Sequence, residues 1–193
     1  MAIMPTRFSF HCLLLGLALS MAGAAQADSW ARPPLKVVGS TDGRALVRMV
    51  PRGFHGDKRP EVELYGYDAK SAQYALKTRF QLRNRIAPVD MLLTGRGELV
   101  VLDEWAQMGR GTVLAVYAPD GKSRLEFDLH QLLGSEAAGK APHTVSSTWW
   151  RCRKPQLSED DRWLLVDTYD DGKLRVELPT GNVEYEAGKG RCA

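Results

Sequence analysis

The chain has 193 residues, of which 26 are Lys or Arg and 23 are Asp or Glu. This length is enough for one domain with its own hydrophobic core and is short for a two-domain enzyme. A hydrophobic fraction of 44% with 25% charged residues excludes a disordered or collagen-like chain. A formal net charge of +3 gives no indication of nucleic-acid binding.

The first 27 residues have the pattern of a secretory signal peptide. Arg7 carries the positive charge near the amino terminus, and an apolar run over residues 12–19 follows it. Ala25 and Ala27 are the small residues that precede a cleavage site. The apolar run is shorter than the roughly 20 residues that span a bilayer, and no later stretch predicts a membrane span. We therefore expect cleavage after Ala27 and a mature domain of residues 28–193, either periplasmic or secreted.

Two cysteines remain after this cleavage. Cys152 and Cys192 form an even pair in an oxidising compartment, where a disulfide is the usual outcome. A bridge that closes a loop of about 40 residues restricts the unfolded chain and stabilises the fold by roughly 4 kcal/mol. The alternative is a reactive thiol at Cys152, activated by the flanking Arg151 and Arg153.

Three stretches of the mature chain repeat one pattern: a polar turn, an apolar run, a longer loop and two strands joined by a tight turn. Continuous apolar runs are typical of strands buried on both faces, and the closing strands alternate apolar and polar residues. The sequence therefore predicts an all-β fold of three consecutive four-stranded antiparallel meanders, with a short helix over residues 129–133. The predicted units span about residues 35–85, 86–134 and 145–187, the last opening with a strand near 145–150.

This order of strands resembles β-propeller repeat proteins, in which each blade is a four-stranded antiparallel meander. The resemblance covers most of residues 35–187 and rests on the recurring polar turns that contain Gly43, Gly97 and Asp161. It implies a propeller-like or half-propeller fold, but no particular activity and no catalytic residue. A β-sandwich of the same strands is the alternative.

Residue types suited to catalysis are present without a recognisable motif. The sequence lacks a nucleophile-elbow pattern, a phosphate-binding loop and a Cys/His zinc spacing, so no cofactor and no metal are expected. Residues 167–172 are acidic like a calcium loop, but Tyr169 and Leu178 stand where acidic ligands belong, which favours a polar turn. His143 beside Ser147, together with Asp103, leaves a small hydrolase or lactonase as an alternative function.

Cationic and apolar residues alternate over residues 76–85. In an extended segment this alternation places the two kinds of side chain on opposite sides. A cationic stripe of this kind either protects a sheet edge from aggregation or contacts an acidic protein or anionic envelope component. The apolar side consists of Leu76, Phe80 and Leu82. The cationic side consists of Lys77, Arg79, Arg83 and Arg85.

Tryptophan residues divide into one expected core residue and four beside polar stretches. Trp163 lies in an apolar run and is expected in the core. Trp149 and Trp150 could place one ring in the core and the other over a blade end, where a tryptophan can anchor a partner. Trp30 and Trp105 also lie beside polar residues.

The two ends of a meander differ in their loops. Loops after the second strands and between the meanders emerge together, and here they are long and irregular, which favours this end as a binding surface. We expect partner contacts at His55, Arg83, Arg85, Glu104, Trp105, Arg110, Asp170 and Asp171.

The sequence thus predicts an exported, non-catalytic β-domain that binds a protein or an envelope component. An inhibitor or immunity protein against an envelope-directed toxin is a narrower version of this prediction. A monomer is favoured because the outer strands carry many polar residues. A homodimer that closes a six-bladed ring is the alternative.

Overall fold

The computed structural model describes residues 31–53 and 58–192, and this part of the chain is mostly β-structure. It contains three four-stranded antiparallel sheets, each a meander in chain order, which confirms the predicted fold class. The first sheet has β1 (Lys36–Gly39), β2 (Ala45–Val50), β3 (Glu61–Asp68) and β4 (Gln73–Gln81). The second has β5 (Pro88–Leu93), β6 (Leu99–Glu104), β7 (Leu114–Tyr117) and β8 (Ser123–Phe127). The third has β9 (Gln156–Leu157), β10 (Trp163–Asp167), β11 (Lys173–Glu177) and β12 (Val183–Glu186).

The second sheet is packed between the other two. Every residue of β6 and β7 is buried. The continuous apolar run at residues 99–102 predicts this for β6, whereas β7 was expected to alternate. Leu99 and Val101 share one core cluster with residues of the first sheet, whereas Val100 and Leu102 share another with residues of the third. Successive residues of one strand therefore face different neighbouring sheets, which is the blade-on-blade stacking of a propeller-like fold.

A polar turn recurs between the first two strands of each sheet. In every copy a hydroxyl accepts the backbone N–H of a residue at the start of the next strand, and one residue adopts a positive φ. The hydroxyl and N–H pairs are Ser40 with Ala45 (2.9 Å), Thr94 with Glu98 (3.0 Å) and Ser158 with Trp163 (2.9 Å). The positive-φ residues are Gly43, Gly97 and Asp161. The sequence repeat is therefore a repeat of backbone geometry.

Tight turns at the same end of the stack contact the preceding sheet. A Cβ placed on Gly121, in the turn between β7 and β8, would lie 2.6 Å from Cγ of Phe80 in the first sheet. A Cβ on Gly181, in the turn between β11 and β12, would lie 2.8 Å from a methyl group of Leu125 in the second sheet. Both turns approach the neighbouring sheet closely, and the positive φ of Gly121 and of Gly181 also favours glycine.

The outer face of the first sheet carries a charged pair at a position where the second and third sheets carry apolar pairs. Arg48 lies three residues after Ala45, whose N–H closes the polar turn, and it is opposite Glu63 in β3. The two side chains form an ion pair of 2.8 Å. The corresponding pairs, which face a neighbouring sheet, are Val101 with Ala115 and Val166 with Leu174. The first sheet therefore has an ion pair, in place of an apolar pair, on the face that no other described sheet covers.

The outer face of the third sheet also carries an ion pair, at the position one residue further along the strand. Asp167 lies opposite Lys173 in an ion pair of 2.7 Å. The corresponding pairs in the other sheets are Met49 with Val62 and Leu102 with Leu114. Charged outer faces on terminal repeats are what keeps a stack of repeats from growing further.

The predicted helix is longer than expected and broken. Helix α1 (Leu129–Lys140) begins with a capping box, in which Asp128 accepts the N–H of Gln131 at 2.9 Å and the Gln131 side chain accepts the N–H of Asp128. Gly134 interrupts it with φ 76° and ψ 159°. The prediction of residues 129–133 matches the part before this break.

Two predicted details of the third sheet are wrong. The third sheet does not open at residues 145–150, because its first strand is β9, which contains only two residues. Arg151 makes a single bridge to Thr168, and Pro155, which lacks an N–H, precedes β9. Trp163 lies outside the core, on the outer face of the third sheet, with the guanidinium of Arg175 4.6 Å from its ring centroid.

A β-bulge also reverses one predicted face of β4. The register shifts next to Tyr65, which pairs with Leu76, whereas Phe80 pairs with the buried Val62. Leu76 is consequently 47% exposed on the outer face, while Phe80 packs against the core. The prediction that Leu76, Phe80 and Leu82 share one face is wrong for Leu76, because one extra residue inverts the alternation.

The predicted disulfide joins Cys152 to Cys192, with 6.1 Å between their Cα atoms. The chain end is further held by the N–H of Cys192, which donates to the carbonyl of Tyr169 at 3.2 Å. The segment 187–192 is thereby fixed over the turn between β10 and β11. Within the described residues, no helix is long and apolar enough to cross a membrane.

Candidate binding site at the irregular end

A projecting hairpin over residues 142–149 is the most exposed apolar feature of the irregular end. Its base is closed by the N–H of Trp149, which donates to the carbonyl of Pro142, and its tip by the N–H of Thr144, which donates to Ser147. Both hydrogen bonds are 2.7 Å. Val145 at the tip is 95% exposed and Trp149 is 48% exposed. The hairpin therefore holds two apolar side chains out toward solvent.

Contacts with the loop between β6 and β7 fix the hairpin in place. Nη2 of Arg110 donates to the carbonyl of Val145 at 2.6 Å, and the N–H of Thr148 donates to the carbonyl of Met108 at 2.8 Å. Nη2 of Arg110 also lies 3.4 Å from the carbonyl of Thr144. Because the tip and one strand are both bonded to the same loop, the hairpin is a rigid element.

The buried carboxylate of Asp103 joins this loop to the hairpin. One oxygen accepts the indole N–H of Trp150 and the backbone N–H of Gly109, each at 2.8 Å, and the other accepts Nε of Arg151 at 2.8 Å. Burial raises the pKa of Asp103, and Arg151 opposes this rise. Asp103 also has a φ of 57°, a conformation that is costly for a residue with a side chain. Its surroundings therefore hold it in place.

The same network reaches the first strands of the first two sheets. Arg151 pairs with Asp90 of β5 at 2.6 Å. Nζ of Lys36 in β1 donates to the carbonyls of Pro88, at 3.0 Å, and of Val89. Burial lowers the pKa of Lys36, and Asp90 opposes this effect. Charged side chains from β1, β5 and the segment before β9 thus tie the three sheets together beside the hairpin.

A cleft with a volume of about 760 Å³ lies between the hairpin, the loop between β6 and β7, and both ends of α1. Leu129, Ala138 and Ala141 are buried in it, and this size is typical of a ligand site. Its polar side chains are Arg110, Asp128, His130, His143 and Thr148.

Four of the predicted contact residues lie in two neighbouring segments. The N–H of Arg85 donates to Oε1 of Glu104 at 2.7 Å, and the N–H of Trp105 donates to the carbonyl of Ala87 at 2.9 Å. Burial raises the pKa of Glu104. Nε of Arg83 lies 3.3 Å from Glu126, so Arg83 reaches the second sheet. These residues join the first sheet to the second.

Arg110 is the predicted residue that lies at both the hairpin and the cleft. Asp170, in contrast, holds the chain end, because its carboxylate accepts hydrogen bonds from Tyr185 at 2.7 Å and from the N–H of Gly188 at 3.0 Å. Asp171 has a φ of 61° in the same turn. The prediction for His55 lies outside the described residues.

The members of the cationic stripe occupy three different environments. Lys77 lies at the bulge, close to Gly66, and Arg79 pairs with Glu63 at 2.9 Å on the outer face of the first sheet. Arg83 and Arg85 lie beyond the end of β4, in the connection to the second sheet. The structure therefore does not bring these four side chains into one row.

The residues of the hydrolase alternative are engaged elsewhere. Ser147 is buried and its hydroxyl donates to the carbonyl of Ala106 at 3.4 Å, while Nδ1 of His143 lies 3.4 Å from the carbonyl of Ala141. Among the described residues, no hydrogen bond connects His143 with Ser147 or Asp103. Residues 168–172 form a turn, as expected, and within the same described ranges no three metal-ligating side chains cluster.

Sequence reasoning did not identify the hairpin. Val145 lies in a short polar stretch without periodicity, and the anchor between Asp103 and Trp150 joins residues 47 positions apart. The adjacent Trp149 and Trp150 were the only indication of this site in the sequence. The ring of Trp150 is fully buried, and Trp149 is half exposed. Comparison with known proteins finds no family profile that matches the chain and no curated protein that matches it.

Proposed function

We propose that this chain is an exported, non-catalytic β-domain that binds a protein or another component of the cell envelope through its irregular end. The observation that carries the proposal is the anchored hairpin, which presents Val145 and Trp149 to solvent. A tryptophan on a rigid element is a frequent centre of binding energy, because it buries a large area and loses little conformational freedom on binding.

Export is supported by two independent features of the chain. The first is the signal-peptide pattern that ends at Ala27. The second is the disulfide between Cys152 and Cys192, since such bonds persist in oxidising compartments. The proposed location is the periplasm or the extracellular space, after cleavage following Ala27.

Affinity capture from an exported-protein fraction tests the binding proposal. The mature chain is compared with the double variant V145S/W149S and with the matched control V37S/L76S, which removes two exposed apolar side chains from the outer face of the first sheet. We expect one partner, identified by mass spectrometry, to be retained by the wild type and the control and lost by the hairpin variant. Retention of the partner by the hairpin variant would contradict the proposal.

The proposed assembly is a monomer. Ion pairs at Arg48–Glu63 and at Asp167–Lys173 lie on the two outer faces, where ring closure would require apolar contacts. Light scattering on the mature chain is expected to give the mass of one copy of residues 28–193. A mass twice as large that persists on dilution would contradict this.

A further inference from the structure

Arg110 differs from most arginines of the domain because no carboxylate within residues 31–53 and 58–192 pairs with it. Within the described residues, no Asp or Glu forms an ion pair with it. Its guanidinium is nevertheless oriented, because Nη2 donates to the carbonyl of Val145. A guanidinium has five N–H donors, so Nε and Nη1 stay available to a ligand at the cleft. A positioned guanidinium of this kind suits a carboxylate, which it binds by charge-assisted hydrogen bonds.

The other polar groups of the cleft are compatible with the same ligand. His130 and His143 offer ring N–H donors, and both side chains are exposed. The carboxylate of Asp128 is the opposing charge in the cleft, but it is engaged at the start of α1, where it accepts the N–H of Gln131. The cleft therefore offers more free donors than free acceptors.

The apolar surroundings of Arg110 indicate a polypeptide rather than a small ion. Ala138 and Ala141 are buried in the cleft, and the hairpin that carries the exposed Val145 and Trp149 lines it with His143 and Thr148. A volume of about 760 Å³ is far larger than one carboxylate needs. A ligand that fills the cleft must therefore bring apolar side chains together with its acidic group.

We propose that the cleft beside the hairpin binds an acidic segment of a partner protein, with a carboxylate on Arg110 and neighbouring apolar side chains on Val145 and Trp149. This inference rests on the proposed function and adds the chemistry of the partner. It assigns Arg110 to charge recognition, and it assigns the hairpin to apolar contact.

Two synthetic peptides that differ only in charge test the inference. The acidic peptide is acetyl-Ala-Leu-Glu-Leu-Glu-Ala-amide, and its neutral counterpart has Gln in place of Glu. Binding is followed by NMR through the side-chain Nε–H signals of Arg110 and Trp149 at low ionic strength. For the wild type, we expect the acidic peptide to shift both signals and to bind about five-fold more tightly than the neutral one.

The variant R110Q is expected to lose this preference, and R110K is expected to retain part of it. The control R44Q makes the same charge change at the opposite end, where Arg44 is 81% exposed, and is expected to keep the preference. Equal binding of the two peptides, equal preference in R110Q and wild type, or no shift at about 10 mM peptide would overturn the inference.

The proposed function fails separately from this inference. If V145S/W149S loses the captured partner while R110Q retains it and the peptides show no charge preference, binding through the hairpin stands and acidic recognition falls. If the hairpin variant retains the partner, the proposed function itself fails.

Discussion

At the scale of single residues, Asp103 connects three segments of the irregular end. It is fully buried and accepts hydrogen bonds from Trp150, Gly109 and Arg151, which belong to the hairpin base, the adjacent loop and the network between the sheets. One carboxylate thus orients the segments that form the candidate site.

Replacing Asp103 by Asn keeps the size of the side chain but removes its charge and one acceptor. We expect D103N to lower the free energy of unfolding by about 3 kcal/mol, because Arg151 stays buried with only Asp90 as a carboxylate partner. Urea unfolding measures the change. The control E136Q alters a solvent-exposed ion pair on the helix surface and should leave the free energy of unfolding nearly unchanged. A cost for D103N as small as that of the control would contradict the account.

Glu63 gives the domain a defined response to acid. Hydrogen bonds from Arg48, Tyr65 and Arg79 lower the pKa of Glu63 from 4.5 to about 2. A carboxyl whose pKa is depressed in the folded state stabilises the fold above its unfolded pKa and loses this contribution as the pH falls through the folded pKa. The contribution of Glu63 is therefore complete above pH 4.5 and declines toward pH 2.

The variant E63Q isolates this contribution. Between pH 5 and about pH 2, the free energy of unfolding should fall more steeply for the wild type than for E63Q, because Gln carries no titrating proton. Urea unfolding at several pH values measures both slopes. Parallel curves for the two proteins would show that the interactions of Glu63 contribute nothing to the pH dependence.

At the scale of elements, the stacking of sheets depends on glycines in tight turns. We expect G121A to be more destabilising than G43A by about 1–3 kcal/mol, because a Cβ at position 121 would overlap Phe80 of the neighbouring sheet. Both glycines have a positive φ, but no atom lies within 4 Å of a Cβ at position 43, so G43A measures the backbone cost alone. Equal losses of unfolding free energy in G121A and G43A, measured with urea, would contradict close packing of this turn against the first sheet.

The disulfide also stabilises the fold at the scale of elements. Reduction of Cys152–Cys192, or the variant C152S/C192S, should lower the free energy of unfolding by roughly 4 kcal/mol while the β-sheet circular dichroism signal persists, because the first two sheets lie outside the closed loop. Peptide mapping without reductant should recover the linked pair from exported protein. Two free thiols in that map would refute the bond.

The sequence predicted the sheets better than the site. Apolar runs and polar turns are local signals, so residues 99–102 and the turn at Gly97 were placed correctly. The bulge beside Tyr65 has no such signal, and it moved Leu76 to the opposite face. The contact between Asp103 and Trp150 depends on the stacking of sheets far apart in the chain, which residue spacing does not encode.

At the scale of the whole molecule, the two ends of the stack have different roles. The end with the repeated turns carries contacts between sheets, including the N–H of Gly95, which donates to Asp161 of the next turn at 2.6 Å. The other end carries the hairpin, the cleft and the longer loops. A charged pair lies on each outer face of the three-sheet stack. The irregular end is therefore the proposed binding surface.

Hydrogen–deuterium exchange of the mature chain with its captured partner tests the central claim most directly. The account predicts slower exchange in the complex over residues 142–149, which form the hairpin, and over residues 105–112, which form the loop that anchors it. The turns at residues 40–43, 94–97 and 158–161 should exchange at the same rate with and without the partner. Protection of these three turns, with unchanged exchange in the hairpin, would contradict binding through the irregular end.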